Sequence, residues 1–168
     1  MEGRLRIKNG ITMDSGSAAF VMPTRWLPMF ELQQSKGSLA GQRYVGATGN
    51  VVPNEGEKHV EFVTGDGQDR ALTFQCADLN KMLAGIAGVA DANNGILFLK
   101  DGGHILELDE ATLERVKELV RRCSKVTNFI RKGNVYIMDA YVRIPPGSTL
   151  ASTADKLKNP QGLGRQEQ

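Results

Sequence analysis

The stretch of sequence that decides the fold is Ile11-Thr12-Met13-Asp14-Ser15-Gly16-Ser17-Ala18-Ala19-Phe20-Val21-Met22. It places an acid, a hydroxyl and a glycine in a tight turn between two apolar runs, 11–13 and 18–22. A carboxylate in apolar surroundings loses solvation, so it must be compensated by hydrogen bonds or used for chemistry. We therefore interpret Asp14-Ser15-Gly16 as a reaction centre.

Length and composition indicate one domain with a single core. The chain has 168 residues, of which 40% are hydrophobic and 24% charged, and its formal net charge is +2. These values are typical of a soluble globular protein, and so small a charge gives no reason to expect nucleic acid as a partner. No apolar run approaches the roughly 20 residues that cross a bilayer, and the N-terminus lacks the apolar part of a secretory signal. We expect an intracellular, cytoplasmic protein with no membrane partner.

The cysteines and histidines are too few for a disulfide framework or a zinc site. Cys76 and Cys123 lie far apart in the chain, and only His59 and His104 accompany them. We expect both cysteines to be reduced, buried thiols, and the protein to need no metal and no cofactor.

The N-terminal third is predicted to be β-structure and loops. Asn9-Gly10 is a turn dipeptide that predicts a hairpin between 5–9 and 11–13. Prolines within 23–30 predict an irregular apolar lid over the core, because proline interrupts helices and central strands. The glycine-rich segment 33–56 predicts a mobile hairpin or loop.

The rest of the chain is predicted to contain strands and one helix. The segment 82–92 fits either a buried strand followed by a turn of helix or one short helix. Asp109 as N-cap and apolar residues on one face predict an amphipathic helix over 110–126. The segment 148–168 has almost no large apolar residue, so it is predicted to be a disordered tail or a linker. Further strands are predicted at 59–63, 70–76, 96–100, 104–108 and 134–144. The first two are predicted to form a hairpin across Gly65-Asp66-Gly67, and the next two a hairpin across Asp101-Gly102-Gly103.

Four interpretations of Asp14-Ser15-Gly16 compete. In the simplest, the side chains cap backbone N–H groups and the glycine supplies a positive φ. A serine hydrolase needs a histidine base, but His59 and His104 both follow the serine and lie in hairpins, and no Gly-x-Ser-x-Gly elbow is present. A cysteine hydrolase built from Cys123 and His104 is disfavoured because Cys123 lies on the apolar helix face, where a neutral thiol is inert.

The fourth interpretation is an aspartic protease. Peptide hydrolysis by carboxylates needs two of them about 3 Å apart sharing one proton, so that one activates water while the other donates to the carbonyl oxygen. Backbone N–H groups after the acid and a hydroxyl beside it hold such a pair in plane. Gly16 lets the turn approach the carboxylate, and the Ser15 hydroxyl can bond across to a partner loop.

Four further motifs follow the acid along the chain. They are Met22-Pro23, the glycine-rich segment 46–52, the hydrophobic-Gly element Leu83-Ala84-Gly85 and the strand Arg131-Lys132-Gly133-Asn134-Val135-Tyr136-Ile137-Met138-Asp139. With the Asp-Ser-Gly motif, this order resembles the retropepsin-like aspartic proteases of Ty1/copia-type retrotransposon polyproteins. In that family the second hydrophobic-Gly element forms the wall beneath the acid.

The resemblance implies a fold, a site and a substrate. The fold is mainly β, a retropepsin-like closed barrel over 1–147 with the helix 110–126 inserted before the closing strand. The site has a catalytic Asp14 braced by Ser15 and Gly16, and the glycine-rich segment is a flap that closes over an extended peptide or polyprotein substrate. The substrate-binding residues that it implies are Val45, Gly46, Gly49, Val51, Leu83 and Ile86.

The number of motifs predicts the quaternary structure. Asp66 and Asp101 are followed by glycine and Asp69 by arginine, so the chain has one Asp-[Ser/Thr]-Gly. A two-carboxylate site must take its second loop from another copy, which predicts an active homodimer with both Asp14 side chains on the two-fold axis. The alternative is a catalytically inactive retropepsin-like module that dimerises or binds peptides by strand addition.

Overall fold

The computed structural model of the protein describes residues 5–7, 9–46, 49–138, 140, 141 and 143. These residues form a mainly β fold, as the sequence predicts, and contain three helices. In chain order the elements are β1 (Ile11–Asp14), β2 (Val21–Pro23), α1 (Lys36–Leu39), β3 (Arg43–Val45), β4 (Val51–Pro53), β5 (Gly56–Val63), β6 (Asp69–Ala77), β7 (Met82–Gly85), α2 (Ile86–Asp91), β8 (Asn94–Leu99), β9 (Gly102–Glu107), α3 (Glu110–Arg122), β10 (Ile130–Lys132) and β11 (Val135–Ile137).

Five strands form a central sheet in the order β1-β7-β2-β6-β5. β1 runs parallel to β7 and β2 parallel to β6, whereas β2–β7 and β5–β6 are antiparallel. The other described strands form three two-stranded ribbons, β3–β4, β8–β9 and β10–β11. The predicted closed barrel is therefore wrong for the described residues, because β1 and β5 remain the edges of an open sheet and each ribbon pairs within itself.

The core lies where β2, β5, β6 and β7 meet. Side chains alternate between the two faces of a strand, so each strand contributes one or two residues to the buried face. The lid residues Trp26, Leu27 and Phe30 pack against this cluster, as predicted, whereas Met29 is exposed. The cluster itself consists of Met22, Val60, Phe74, Cys76 and Met82.

A buried lysine ties the irregular lid to the sheet. Trp26 N–H donates to Pro23 O at 3.0 Å and closes a turn at the start of the lid. Lys58 on β5 is buried, and its Nζ donates to the carbonyl oxygens of Thr24, Trp26 and Leu27 at 2.9, 2.8 and 3.5 Å. A buried ammonium group needs this kind of compensation, so Lys58 fixes the path of the lid.

The hairpin predicted before Asp14 does not form from the described residues. Asn9 and Gly10 adopt the left-handed φ values that the dipeptide predicts, 63° and 67°, and Gly10 N–H donates to Ile7 O at 3.1 Å. Residues 5–7 are nevertheless not in a strand, residue 8 lies outside the described residues, and β1 pairs with β7 instead. The local sequence therefore determines the turn, whereas packing in the core determines which strand pairs with β1.

The glycine-rich segment contains a helix that its composition does not predict. Ser35 Oγ accepts from Ser38 N–H at 3.0 Å and Ser38 Oγ accepts from Ser35 N–H at 2.9 Å, a reciprocal cap that starts α1. The predicted hairpin follows as β3–β4. Further on, the ambiguous segment 82–92 forms a buried strand, β7, followed at once by the short helix α2.

The helix α3 begins where the sequence predicts and ends before residue 126. Asp109 Oδ1 accepts from Thr112 N–H at 2.7 Å and caps its first turn, and Cys123 leaves the helical conformation with ψ 128°. No residue in 94–138 is buried. Cys76 is buried as expected, but the expected burial of Cys123 is wrong because nothing among the described residues covers this face of the helix.

The predicted last strand, 134–144, is short. Gly133 has φ 58° and turns the chain, so that β11 pairs with β10 over three residues. Residues 138, 140, 141 and 143 are not in strands. Residues 139, 142 and 144 and the predicted tail 148–168 lie outside the described residues, as does the proposed domain boundary at 147. Within the described parts of the chain, no helix is long and apolar enough to cross a membrane.

Candidate active site

Asp14 is the last residue of β1 and lies opposite Gly85, the last residue of β7. Asp14 is half-buried, whereas Ser15 and Gly16 are exposed. Gly16 N–H donates to Asp14 Oδ1 at 2.8 Å, and Ser17 N–H lies 3.4 Å from Asp14 O. The chain therefore turns around the carboxylate, and the adjacent N–H fixes the orientation of the carboxylate plane, as the motif predicts.

The glycine of the motif contributes its N–H rather than a special conformation. Gly16 is not among the described glycines with a left-handed φ, so the positive φ expected for a capping turn is wrong. A Cβ on Gly16 would lie 3.4 Å from Asp14 Oδ1, an ordinary van der Waals contact. The hydrogen bonding is that of an Asx turn, which both the capping and the catalytic interpretations allow.

Gly85 forms the wall beneath the Asp14 turn. A Cβ at this position would lie 2.7 Å from Ser17 O and 3.0 Å from Ala19 O, so the backbone of 17–19 approaches Gly85 as closely as a glycine permits. Ser17 Oγ donates to Ala19 O at 2.7 Å and holds this bend. The Leu83-Ala84-Gly85 element thus lies beside the acid.

Two of the predicted substrate-binding residues adjoin this wall. Leu83 is half-buried and lies between β1 and β2, opposite Thr12 on one side and Val21 on the other. Ile86 follows Gly85 directly, starts α2 and is buried. Leu83 lies two residues before Gly85 on the strand beside β1, whereas Ile86 is part of the core.

The other four predicted substrate-binding residues lie on the β3–β4 hairpin. Val45 and Val51 face each other across it and are 70% and 53% exposed, so the core does not account for them. Gly46 N–H donates to Asn50 O at 2.8 Å and Gly49 N–H to Gly46 O at 2.9 Å, while residues 47 and 48 lie outside the described residues. The hydrogen bonds at the base of the hairpin connect it to the central sheet, next to β2. β2 is the strand that follows the Asp14 turn.

A buried amide that the sequence analysis missed makes this connection. Asn54, which follows β4, is buried, and its Nδ2 lies 2.8 Å from Gln75 Oε1 on β6 and 3.2 Å from Tyr44 OH on β3. Gln75 N–H in turn donates to Phe20 O at 2.9 Å. A polar residue inside the apolar run 72–77 is the sequence signal that could have revealed Gln75, whereas nothing in the sequence around Asn54 marks it.

Burial changes the acidity of two groups near this network. Desolvation raises the pKa of the Tyr44 hydroxyl above its ordinary value. Desolvation also raises the pKa of the Cys76 thiol to about 11, although the nearby Lys58 ammonium acts in the opposite direction. Cys76 is therefore a neutral thiol at physiological pH, which does not favour a role as nucleophile.

The histidines and the second cysteine lie elsewhere in the fold. His59 Nδ1 lies 3.2 Å from Thr73 Oγ1 on the exposed part of β5–β6, and His104 lies opposite Leu97 in the β8–β9 ribbon. Cys123 is exposed at the end of α3. Within the described residues, no three histidine, cysteine, aspartate or glutamate side chains come together in a group that could hold a metal ion.

Comparison of the chain with protein-family models, curated proteins and solved structures finds no match. Its function must therefore be inferred from the residues themselves.

Proposed function

We propose that the protein is a retropepsin-like aspartic endopeptidase that acts as a homodimer in retroelement polyprotein processing. The observation that carries the proposal is the geometry of the Asp14 turn. The acid ends a strand that runs parallel to the hydrophobic-Gly strand β7, and an N–H of its own turn orients the carboxylate at 2.8 Å. The exposed Ser15 and Gly16 leave this turn accessible to a second copy.

In the proposed reaction, each chain supplies one Asp14 carboxylate and the pair shares a proton. One carboxylate takes a proton from water as it attacks the peptide carbonyl, and the other donates a proton to the carbonyl oxygen. Gly16 N–H holds each carboxylate in plane, and the exposed Ser15 hydroxyl reaches across to the partner turn. No metal or cofactor takes part in this chemistry.

The β3–β4 hairpin is the proposed flap. Its exposed Val45 and Val51 side chains gain from contact with an apolar substrate, since they have little protein cover. An extended peptide beneath the hairpin would be shielded from water during hydrolysis, as lids do in other enzymes. Leu83 supplies apolar surface on the side of the acid.

The strand β8 offers a surface for the second copy. It has no charged residue and no proline, and among the described strands it pairs on one side, with β9. Its last residues Leu97, Phe98 and Leu99 are 44%, 58% and 55% exposed. Natural edge strands carry charges or proline to prevent pairing, so an uncharged apolar edge favours pairing with an identical strand across a two-fold axis.

The proposal is tested by peptide cleavage with matched variants. The protein is incubated with a library of apolar peptides between pH 4 and 7, with and without a statine-type transition-state analogue. We expect cleavage that the analogue blocks, that Asp14→Asn abolishes and that Asp101→Asn, which changes an exposed aspartate in the turn between β8 and β9, leaves intact. Cleavage that persists in Asp14→Asn would refute the proposal.

The second candidate function is a retropepsin-like module without turnover. It is favoured by the half-buried state of Asp14 in an Asx turn, since a purely structural cap has the same hydrogen bond. A protein that sediments as a dimer at micromolar concentration, binds extended peptides and cleaves none of them would establish this candidate. A monomer under these conditions would contradict the homodimeric protease and the dimerising form of the second candidate.

A further inference from the structure

We infer that Asn54 is a positioning residue that fixes the β3–β4 hairpin against the strand leaving the Asp14 turn. The inference rests on the proposed function only where it treats the hairpin as the substrate flap. Its structural part, that one buried amide holds the hairpin to the sheet, follows from the hydrogen bonds of the described residues.

The side chain of Asn54 connects three elements through hydrogen bonds. Its Nδ2 lies 2.8 Å from Gln75 Oε1 on β6, 3.2 Å from Tyr44 OH on β3 and 3.4 Å from Ser35 Oγ at the cap of α1. Its backbone N–H donates to Gln42 O at 2.9 Å, just before β3. The side chain of Asn54 therefore links the base of the hairpin to the sheet and to α1, beside the backbone hydrogen bonds from Glu55 N–H to Cys76 O at 2.8 Å and from Gln42 N–H to Gly37 O at 2.9 Å.

The hydrogen bonds fix the orientation of both amides. Gly56 N–H donates to Asn54 Oδ1 at 3.0 Å, which places Nδ2 toward Gln75 Oε1. Gln75 Nε2 then donates to Glu57 Oε2 at 2.8 Å. The chain of donors ends on a carboxylate, and a chain of this kind is stronger than isolated bonds because each bond polarises the next.

The surrounding backbone is shaped to admit this side chain. A Cβ on Gly37 of α1 would clash with Gln42 Oε1 and would lie 2.7 Å from Asn54 Nδ2, so a larger residue at 37 would have to displace both amides. Asn54 itself is 6% exposed. A buried amide with this many partners costs free energy if they are lost, so the hairpin cannot swing away from the sheet without breaking the network.

The connection reaches the candidate active site through Gln75. Its backbone N–H donates to Phe20 O, and it pairs with Val21, the first residue of β2 after the Asp14 turn. Tyr44, the hairpin residue that contacts Asn54, adjoins the exposed Val45. A change at Asn54 is therefore expected to alter the position of the hairpin while the Asp14 turn itself stays intact.

The test is hydrogen exchange of the full chain, measured by mass spectrometry without substrate. Asn54→Asp has the same shape but cannot donate to Gln75 Oε1 or Ser35 Oγ. We expect exchange in the hairpin 42–53 to become at least about 10-fold faster, while exchange in β5 and β6 stays within about 2-fold. Asn134→Asp is the matched control, because it makes the same exchange of amide for carboxylate in the exposed turn between β10 and β11, and we expect hairpin exchange near that of the parent.

Two outcomes overturn the inference. One is unchanged hairpin exchange in Asn54→Asp, and the other is equal acceleration of the hairpin and the sheet, which would indicate a general loss of stability. If Asn54→Asp does not fold, Tyr44→Phe removes one acceptor of the same amide and must still accelerate the hairpin selectively, or the inference is wrong.

Peptide cleavage distinguishes this inference from the proposed function. If the hairpin is a flap, Asn54→Asp raises KM for a peptide by a larger factor than it lowers kcat, because substrate cover is lost while the acid is unchanged. Selective acceleration of hairpin exchange in a protein that cleaves no peptide would support the role of Asn54 and refute the proposed protease.

Discussion

Replacing Gly85 by alanine measures the close approach of two backbone segments beneath Asp14. Gly85 has φ −63° and ψ 121°, values that alanine adopts without strain, so the substitution acts through space alone. The added Cβ would lie 2.7 Å from Ser17 O and 3.0 Å from Ala19 O, and neither backbone oxygen can rotate away. Overpacking costs about 1–3 kcal/mol, and the lower entropy of the unfolded chain returns about 0.4–1 kcal/mol.

We therefore expect Gly85→Ala to lower the free energy of unfolding by about 2 kcal/mol. This value lies near the upper end of the net range of the two effects, because both clashes are with backbone atoms. Urea unfolding followed by the fluorescence of Trp26, the one tryptophan in the sequence, measures this difference. At about 2–4 °C per kcal/mol for a chain of this size, Tm should fall by about 4–8 °C.

The matched control for this prediction is Gly65→Ala. Gly65 lies in the turn between β5 and β6, and a Cβ there would meet no atom within 4 Å. We expect its stability to equal that of the parent or to rise slightly. If Gly85→Ala unfolds within about 0.5 kcal/mol of the parent, the two backbones do not approach each other as described and the wall beneath Asp14 is not formed.

Three further predictions test the core, a buried thiol and the dimer. Lys58→Met leaves the lid carbonyls without their donor, so the free energy of unfolding should fall by about 1–3 kcal/mol and the emission of Trp26 should shift. Burial raises the pKa of the Cys76 thiol from an ordinary value of 9.0 to about 11. The stability that the neutral thiol confers is therefore complete below pH 9 and is lost as pH rises through 11. Urea titrations between these pH values should show that the free energy of unfolding falls by about 2–3 kcal/mol, a loss that Cys76→Ala lacks. Phe98→Lys puts a charge on the exposed β8 edge, so sedimentation should shift from dimer to monomer, whereas Leu39→Lys on exposed α1 should not change the mass.

Local sequence patterns predicted elements whose partners are close in the chain. Gly65-Asp66-Gly67 and Asp101-Gly102-Gly103 each join two consecutive strands that pair with each other. Both hairpins form as predicted. The cap at Asp109 likewise acts within one helical turn. In these cases turn chemistry and capping determine the structure, and tertiary contacts do not override them.

Predictions failed where the partner lies far along the chain or where burial was assumed from an apolar pattern. The alternation in 5–13 predicted a hairpin, but β1 gains more from lying beside β7 over the core. An amphipathic pattern predicts that one face of a helix is apolar, but it does not predict which residues cover that face. The predicted burial of Cys123 is wrong for this reason. The partners of Asn54 and Lys58 are backbone, amide and hydroxyl groups, which leave no periodic signal in the sequence.

The position of Gly85 shows that the Asp14 turn depends on more than its own hydrogen bonds. A capping turn needs residues 14–17 alone, because its hydrogen bonds are made within the turn. Here the turn also lies against the end of a strand that comes much later in the chain, at a distance that only glycine permits. This contact fixes the backbone of 17–19 against β7 in either interpretation. Under the proposed function, the same contact would hold the Asp14 carboxylate in place for pairing with the Asp14 of a second copy.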